Sequence, residues 1–236
     1  MNKFKIHKLL AKSISYGGKR NLKDIEYIVI HYTGNNNDTA KANASYFANG
    51  NTRMAGAHFF VDKKGEVWKS INMNLNAYAV GGAYNKLPGG GKYYGKCTNS
   101  NSVSIELCDC VKNTNWEQML ATRQLVLYIQ KKCPNAKTII RHFDVNNKEC
   151  PLPMMGENNK KWKEFKAFLT GKVEFKAELI NDAVIRSSAK ILPTNKTGAL
   201  KKGKKIKIIK LKNNFGLIKS DDTIKNWVTL SKIKGI

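Results

Sequence analysis

The sequence predicts an α/β domain followed by a small all-β domain. Three observations carry that reading. Apolar strands alternate with segments of helical periodicity as far as about residue 170, the helices then stop, and short strands with turn signals take over. The change of pattern sets the expected domains at residues 1–171 and 172–236.

The clearest strand is Tyr27-Ile28-Val29-Ile30-His31, a continuous apolar run suited to a sheet covered on both faces. It enters Thr33-Gly34-Asn35-Asn36-Asn37-Asp38, a loop by composition, after which Asp38 or Thr39 can cap a helix reaching about Asn49. Residues 58–62, Lys63-Lys64-Gly65 and Glu66-Val67-Trp68 read together as a β-hairpin. The segment from Gly81 to Gly95, with Pro88, Tyr93 and Tyr94, reads as a long surface loop. Ser102-Val103-Ser104-Ile105-Glu106-Leu107 alternates polar and apolar, as a half-buried strand does.

Apolar residues recur at helical spacing from Trp116 to Lys132, and Pro134 ends that helix. Thr138-Ile139-Ile140 is a short strand that delivers Arg141-His142 into a loop, and a last amphipathic helix fits Asn159 to Leu169. Beyond Lys172 the strands are short: residues 183–186, 205–209, 215–218 and 226–228.

A hydrophobic share of 42% is normal for a chain with a packed core. No stretch approaches the roughly 20 apolar residues of a membrane helix, so membrane insertion is not expected. Leu9-Leu10-Ala11 is too short an apolar segment for a signal peptide, which implies synthesis in the cytoplasm and action elsewhere after release. The net charge of +25, from 42 basic and 17 acidic residues, points to an anionic partner, with a genome bias toward lysine as the competing explanation. No nucleic-acid motif accompanies the charge, and nucleic acid is not an expected partner. Five cysteines form no evident disulfide framework, and Cys97, Cys108, Cys110 and Cys133 read as scattered inert thiols.

Cys150 differs. It lies eight residues after His142 in a loop rich in Asn and Asp, and the two can converge on one ion if the loop turns back. His31, at the end of a central strand, is the best candidate for a third ligand, because sites in α/β sheets assemble at strand ends. Three protein ligands leave one position open, which is the catalytic rather than the structural arrangement of zinc.

Four segments occur in order: residues 27–33, Ala57-His58-Phe59-Phe60-Val61-Asp62, Ser104-Ile105-Glu106-Leu107, and His142 to Cys150-Pro151. Together, over about Asp24 to Leu169, they resemble the N-acetylmuramoyl-L-alanine amidase family of type 2, which includes phage endolysins, bacterial autolysins and peptidoglycan recognition proteins. The resemblance implies a mixed central β-sheet flanked by helices, with Zn²⁺ held by His31, His142 and Cys150. It also implies cleavage of the amide between N-acetylmuramic acid and L-alanine in peptidoglycan. Glu106 takes the position of the general base, and Lys148 that of the lysine that steadies the oxyanion. Asp144 is expected to orient the loop or a ligating imidazole. Tyr78 is expected in the substrate groove, as is His58, for which a place in the core is the competing reading.

Two departures from the family stand out. Ala57 replaces a Tyr of some relatives, and Tyr78-Ala79-Val80-Gly81 replaces a Trp-His pair ahead of a Gly. Binding-only relatives tend to lack the Cys ligand, so Cys150 implies an active hydrolase. Residues 183–188, 198–203 and 226–228 resemble a bacterial SH3-type domain, which implies an SH3-like barrel that tethers the enzyme to the wall. The expected function is that of a phage endolysin acting on a Gram-positive host. A bacterial autolysin of the same activity and a non-catalytic peptidoglycan-binding protein are the alternatives. Expected partners are peptidoglycan and, as a second candidate, anionic wall polymers.

Overall fold

The computed structural model describes residues 4–81, 91–220 and 226–236, so residues 82–90 of the loop expected at Gly81–Gly95 lie outside the described residues. The chain forms two compact units, Asn2–Trp162 and Lys163–Ile236. Among the described residues no helix is long and apolar enough to cross a membrane.

In chain order the first unit holds β1 (Ile6–Lys8), β2 (Tyr16–Lys19), β3 (Tyr27–Tyr32), α1 (Ala40–Ser45), β4 (Phe59–Val61) and β5 (Val67–Lys69). There follow β6 (Leu75–Ala77), β7 (Ser102–Leu107), α2 (Trp116–Lys132), β8 (Thr138–Arg141) and the single turn α3 (Phe143–Asn146). Six strands make a mixed sheet in the order β1-β5-β4-β7-β3-β8, and β2 pairs with β6 separately. Within the main sheet only β4 and β5 are antiparallel, the two arms of the expected hairpin. The Asp62 carboxylate accepts from the N–H groups of Lys64 (3.0 Å) and Glu66 (3.1 Å) and holds that turn, while Gly65 takes a φ of +77° that disfavours other residues.

The apolar run of β3 is buried on both faces, with Ile28, Val29 and Ile30 fully inaccessible. Each such side chain contributes roughly 1.5–3 kcal/mol by leaving water. The alternation in β7 proves to be no sign of exposure, because Ser102 and Ser104 are also buried. Their hydroxyls are satisfied instead: Ser102 Oγ donates to Thr98 O (2.6 Å), and Ser104 Oγ accepts from His58 N–H (3.1 Å). Thr39 caps α1 by accepting from Ala42 N–H (3.1 Å), and Asn115 caps α2 by accepting from Gln118 N–H (2.9 Å). Ala40 and Ala44 of α1 pack with Phe60, and Leu125, Val126 and Ile129 form the buried stripe of α2.

Helix α4 (Lys160–Thr170) spans the division between the units. After it come β9 (Phe175–Leu179), β10 (Ala183–Arg186), β11 (Lys196–Leu200), β12 (Lys205–Lys212), β13 (Phe215–Ile218), β14 (Trp227–Thr229) and β15 (Ile233–Gly235). They form one seven-stranded antiparallel sheet, β11-β10-β14-β13-β12-β9-β15, which is the all-β region the sequence leads one to expect. Ala177, Leu179, Ile208, Val228 and Ile233 are buried in it, and Ala189, Phe215 and Trp227 form a separate cluster.

Candidate active site

Parallel register brings the candidate residues together. β3 lies between β7 and β8, with His31 directly beside Glu106 and Ile30 beside Arg141. His142 N–H donates to Ile30 O (3.1 Å), which extends that ladder and sets His142 next to His31. All three strands run the same way, so His31, Glu106 and His142 emerge at one carboxyl edge of the sheet. The loop after His142 then turns back. Val145 N–H donates to His142 O (2.9 Å), Asn147 adopts a left-handed φ of 61°, and Phe143 N–H donates to Cys150 O (3.0 Å). These bonds return Cys150 to the two imidazoles.

One donor atom from each of His31, His142 and Cys150 lies within 4.8 Å of the others, and all three residues are buried. Cys150 Sγ is 3.9 Å from His31 Nδ1, and the two imidazole centroids are 4.6 Å apart. Glu106 Oε1 stands 4.0 Å from His31 Nδ1, while its Oε2 is buried with no hydrogen-bond partner among the described residues. The cluster forms the floor of an open groove of about 780 Å³, also lined by Asp38, Tyr46, Arg53, Met54, Tyr78 and Lys148.

Burial governs the protonation of the cluster. It drives His31 well below the usual histidine range, helped by His142 and Lys148, and lowers His142 to about 4, helped by Lys148. It raises the Cys150 thiol to about 12, with Glu106 adding and the Tyr32 backbone N–H opposing. The Glu106 carboxyl is raised to about 7 by burial, with Lys148 opposing and Asp38 adding. The protein by itself therefore keeps its three donors uncharged. Cys97 and Cys110, by contrast, are thiols raised to about 12 chiefly by burial and lie outside the cluster.

Of the residues singled out from sequence, His31, Glu106, His142, Lys148, Cys150 and Tyr78 share the groove. His58 does not line it. It is buried beside Ser104 of β7, where Nδ1 accepts from Ser104 N–H (3.1 Å) and Nε2 lies 3.1 Å from Leu75 O and 2.9 Å from Arg20 Nη2. Asp144 orients the loop through Arg141 rather than through an imidazole. It accepts from Arg141 N–H (2.8 Å), Nε (3.3 Å) and Nη2 (2.8 Å). Arg141 also donates to Met154 O (3.1 Å) and Asn159 Oδ1 (2.7 Å) and lies over the rings of Phe143 and Trp162.

Sequence reasoning missed Asn146. Its buried carboxamide sits 3.1 Å from His142 Nε2 and accepts from Lys148 N–H (3.2 Å), which leaves Nδ1 of His142 to face the other donors. The signal was the four-residue spacing from His142, visible only once α3 is known to be helical. Asp38 was missed as a groove residue: its carboxylate accepts from Asn43 Nδ2 (2.6 Å) and from Asp109 N–H.

Comparison with known proteins bears on this geometry. The family model described as N-acetylmuramoyl-L-alanine amidase matches residues 21–153, more than half of the chain. The chain belongs to that family. Among curated relatives, the N-acetylmuramoyl-L-alanine amidase BlyA of Bacillus subtilis (strain 168) is 28% identical over 166 residues, covering 66% of this chain and 44% of that protein. The N-acetylmuramoyl-L-alanine amidase CwlL of Bacillus licheniformis is 31% identical over 147 residues, covering 58% and 39%. The chain thus spans less than half the length of these relatives. Two solved structures share the fold. A mutant endolysin from Bacillus subtilis aligns with a TM-score of 0.55 at 23% identity, over 71% of this chain and 99% of that one. The catalytic domain of XlyA aligns at 0.54 and 22%, over 70% and 99%.

Proposed function

We propose that the chain is a zinc-dependent amidase that hydrolyses the bond between N-acetylmuramic acid and L-alanine in peptidoglycan, and that it works as an endolysin. The observation that carries this is the convergence of two imidazoles and a thiol within 4.8 Å at the floor of a groove, with a carboxylate oxygen 4.0 Å from one of them. The donor set fits zinc. Two ligand atoms of a single tetrahedral ion, one N and one S, stand about 3.6 Å apart, close to the 3.9 Å between His31 Nδ1 and Cys150 Sγ. Family membership and curated relatives named as amidases support the choice of bond, and an endolysin among the structural neighbours supports the role.

In this reading His31, His142 and Cys150 hold Zn²⁺, and Asn146 keeps the His142 ring in place. Bound there, zinc would polarise the amide carbonyl and acidify a water. Glu106 takes the proton from the attacking water and returns it to the leaving nitrogen. Lys148, exposed at the groove wall, steadies the oxygen that gains negative charge. Tyr78 bounds the substrate on the wall where relatives differ. The antiparallel unit serves as an SH3-like module that keeps the enzyme on the wall and raises the local concentration of scissile bonds.

Digestion of purified wall tests the proposal. Free N-terminal alanine should accumulate without new reducing sugars. New reducing ends, or no released alanine, would refute it.

A further inference from the structure

β12 carries four lysines, Lys205, Lys207, Lys210 and Lys212, and all four are exposed. Strict strand alternation forbids this, because the first pair and the second pair differ in parity. A bulge removes the conflict. The pairing of β12 with β13 shifts between Ile208 and Lys210, so Ile209 is taken up as an extra residue and the alternation restarts. Ile208 and Leu211 are then both buried, and the lysines form one outward row roughly 20 Å long at about 3.3 Å per residue.

Neighbouring strands add to the row. Lys176 on β9 lies directly opposite Lys207, and Lys219 N–H donates to Lys207 O (2.8 Å). Like charges facing each other across paired strands destabilise a sheet. Among the described residues, the acidic side chains on this face are Glu174, paired with Lys207 (2.6 Å), and Glu178, in register between Lys205 and Lys234. Among the described residues, these two carboxylates leave most of the positive charge of the row uncompensated.

We infer that this row docks a linear phosphodiester polymer of the wall, a polyol-phosphate chain. The inference rests on the proposal that the protein works at the cell wall. A straight row of cations matches a ligand whose charges follow one another along a single strand. The row holds no aromatic side chain between its lysines, whereas single-stranded nucleic acid is held by stacking on such rings.

The test uses the full chain and soluble poly(glycerol phosphate), titrated over a series of salt concentrations. One variant combines Lys205→Gln, Lys207→Gln, Lys210→Gln and Lys212→Gln. A charge-matched control combines Lys190→Gln, Lys196→Gln, Lys201→Gln and Lys202→Gln, exposed positions outside the row. The row variant should bind at least about tenfold more weakly with a flatter salt dependence, and the control should lose less than about threefold. Turnover of a soluble muropeptide should stay unchanged in both, and circular dichroism with thermal unfolding of each variant should match the parent, which reports that the second unit folds. Equal losses in the two variants, or no loss in the row variant, would overturn the inference, as would tighter binding to poly-dT or to phosphatidylglycerol vesicles. Walls stripped of phosphate polymer separate the two claims. If the unaltered chain binds stripped walls but not the polymer, the row inference fails and the wall reading stands. If it binds neither stripped nor intact walls, the wall reading itself fails.

Discussion

Replacing Arg141 with leucine should loosen the loop that carries His142 and Cys150. The Arg141 side chain is almost fully buried, donating to Asp144, Met154 O and Asn159 Oδ1, with its guanidinium 5.0 and 5.3 Å from two aromatic centroids. Breaking a buried ion pair from one side costs about 3–5 kcal/mol, because the other charge stays behind. Asp144 is 18% exposed and keeps its bond from the Arg141 backbone N–H, so part of its charge can be satisfied without the guanidinium. That places the expected loss near the low end, about 3 kcal/mol. With an m-value of about 2 kcal/mol/M, the urea midpoint of the first unit should fall by about 1.5 M. A double variant, Arg141→Leu with Asp144→Leu, removes both charges and should lose less than the two single variants together, by about 1–3 kcal/mol. A single-variant loss below about 1 kcal/mol, or strict additivity, would refute the argument.

Cys150→Ser and His31→Ala should each lower zinc content and abolish wall lysis, and full activity of a metal-free preparation would remove zinc from the mechanism. Glu106→Ala should retain zinc while turnover falls by on the order of 10²–10⁴, read by metal analysis beside single-turnover kinetics; an unchanged rate discharges Glu106. A Cβ at Gly56 would lie 2.7 Å from Ser15 O and 2.8 Å from Ile71 Cδ1, so Gly56→Ala should cost about 1–3 kcal/mol, and an unshifted melting temperature counts against that packing. Burial first, and Arg20 second, lower His58 from 6.5 to about 3. The unfolded chain therefore binds a proton between those values that the fold refuses. This contribution is complete above pH 6.5 and declines as the pH falls through that window, by roughly 3 kcal/mol at pH 4. His58→Gln should lose less stability between pH 7 and pH 4 than the parent, and parallel curves would contradict it.

The ends of elements were legible wherever local chemistry decides them. Thr39 is a cap, Gly65 is a turn, and the 17 residues of α2 carry their own period. His31 was visible because a polar residue closing an apolar strand is unusual. Its neighbours were harder to see. That Glu106 stands beside His31 depends on the parallel register of β3 with β7, which the residues between them do not encode locally. The N-terminal strand β1 escaped notice because Ile6-His7-Lys8 gains its partner only across the sheet, in parallel with β5. Ser102 and Ser104 misled in the opposite direction, since polar type stood in for exposure when partners at Thr98 and His58 had made burial tolerable. Arg141 and Asp144 were adjacent to the motif, yet their mutual grip required the turn of α3.

The distance along the chain between donors has a kinetic meaning. Cys150 and His31 meet across 119 residues, and the strands that position them pair in parallel with partners far along the chain. Contacts of such long range form late, since the entropy of closing the intervening loop must be met first. A metal ion arriving during synthesis would find isolated histidines and a cysteine, not a site. If the cluster holds zinc as proposed, capture of the ion would mark the end of folding, and its release on denaturation would serve as a clock for the opening of the parallel strands.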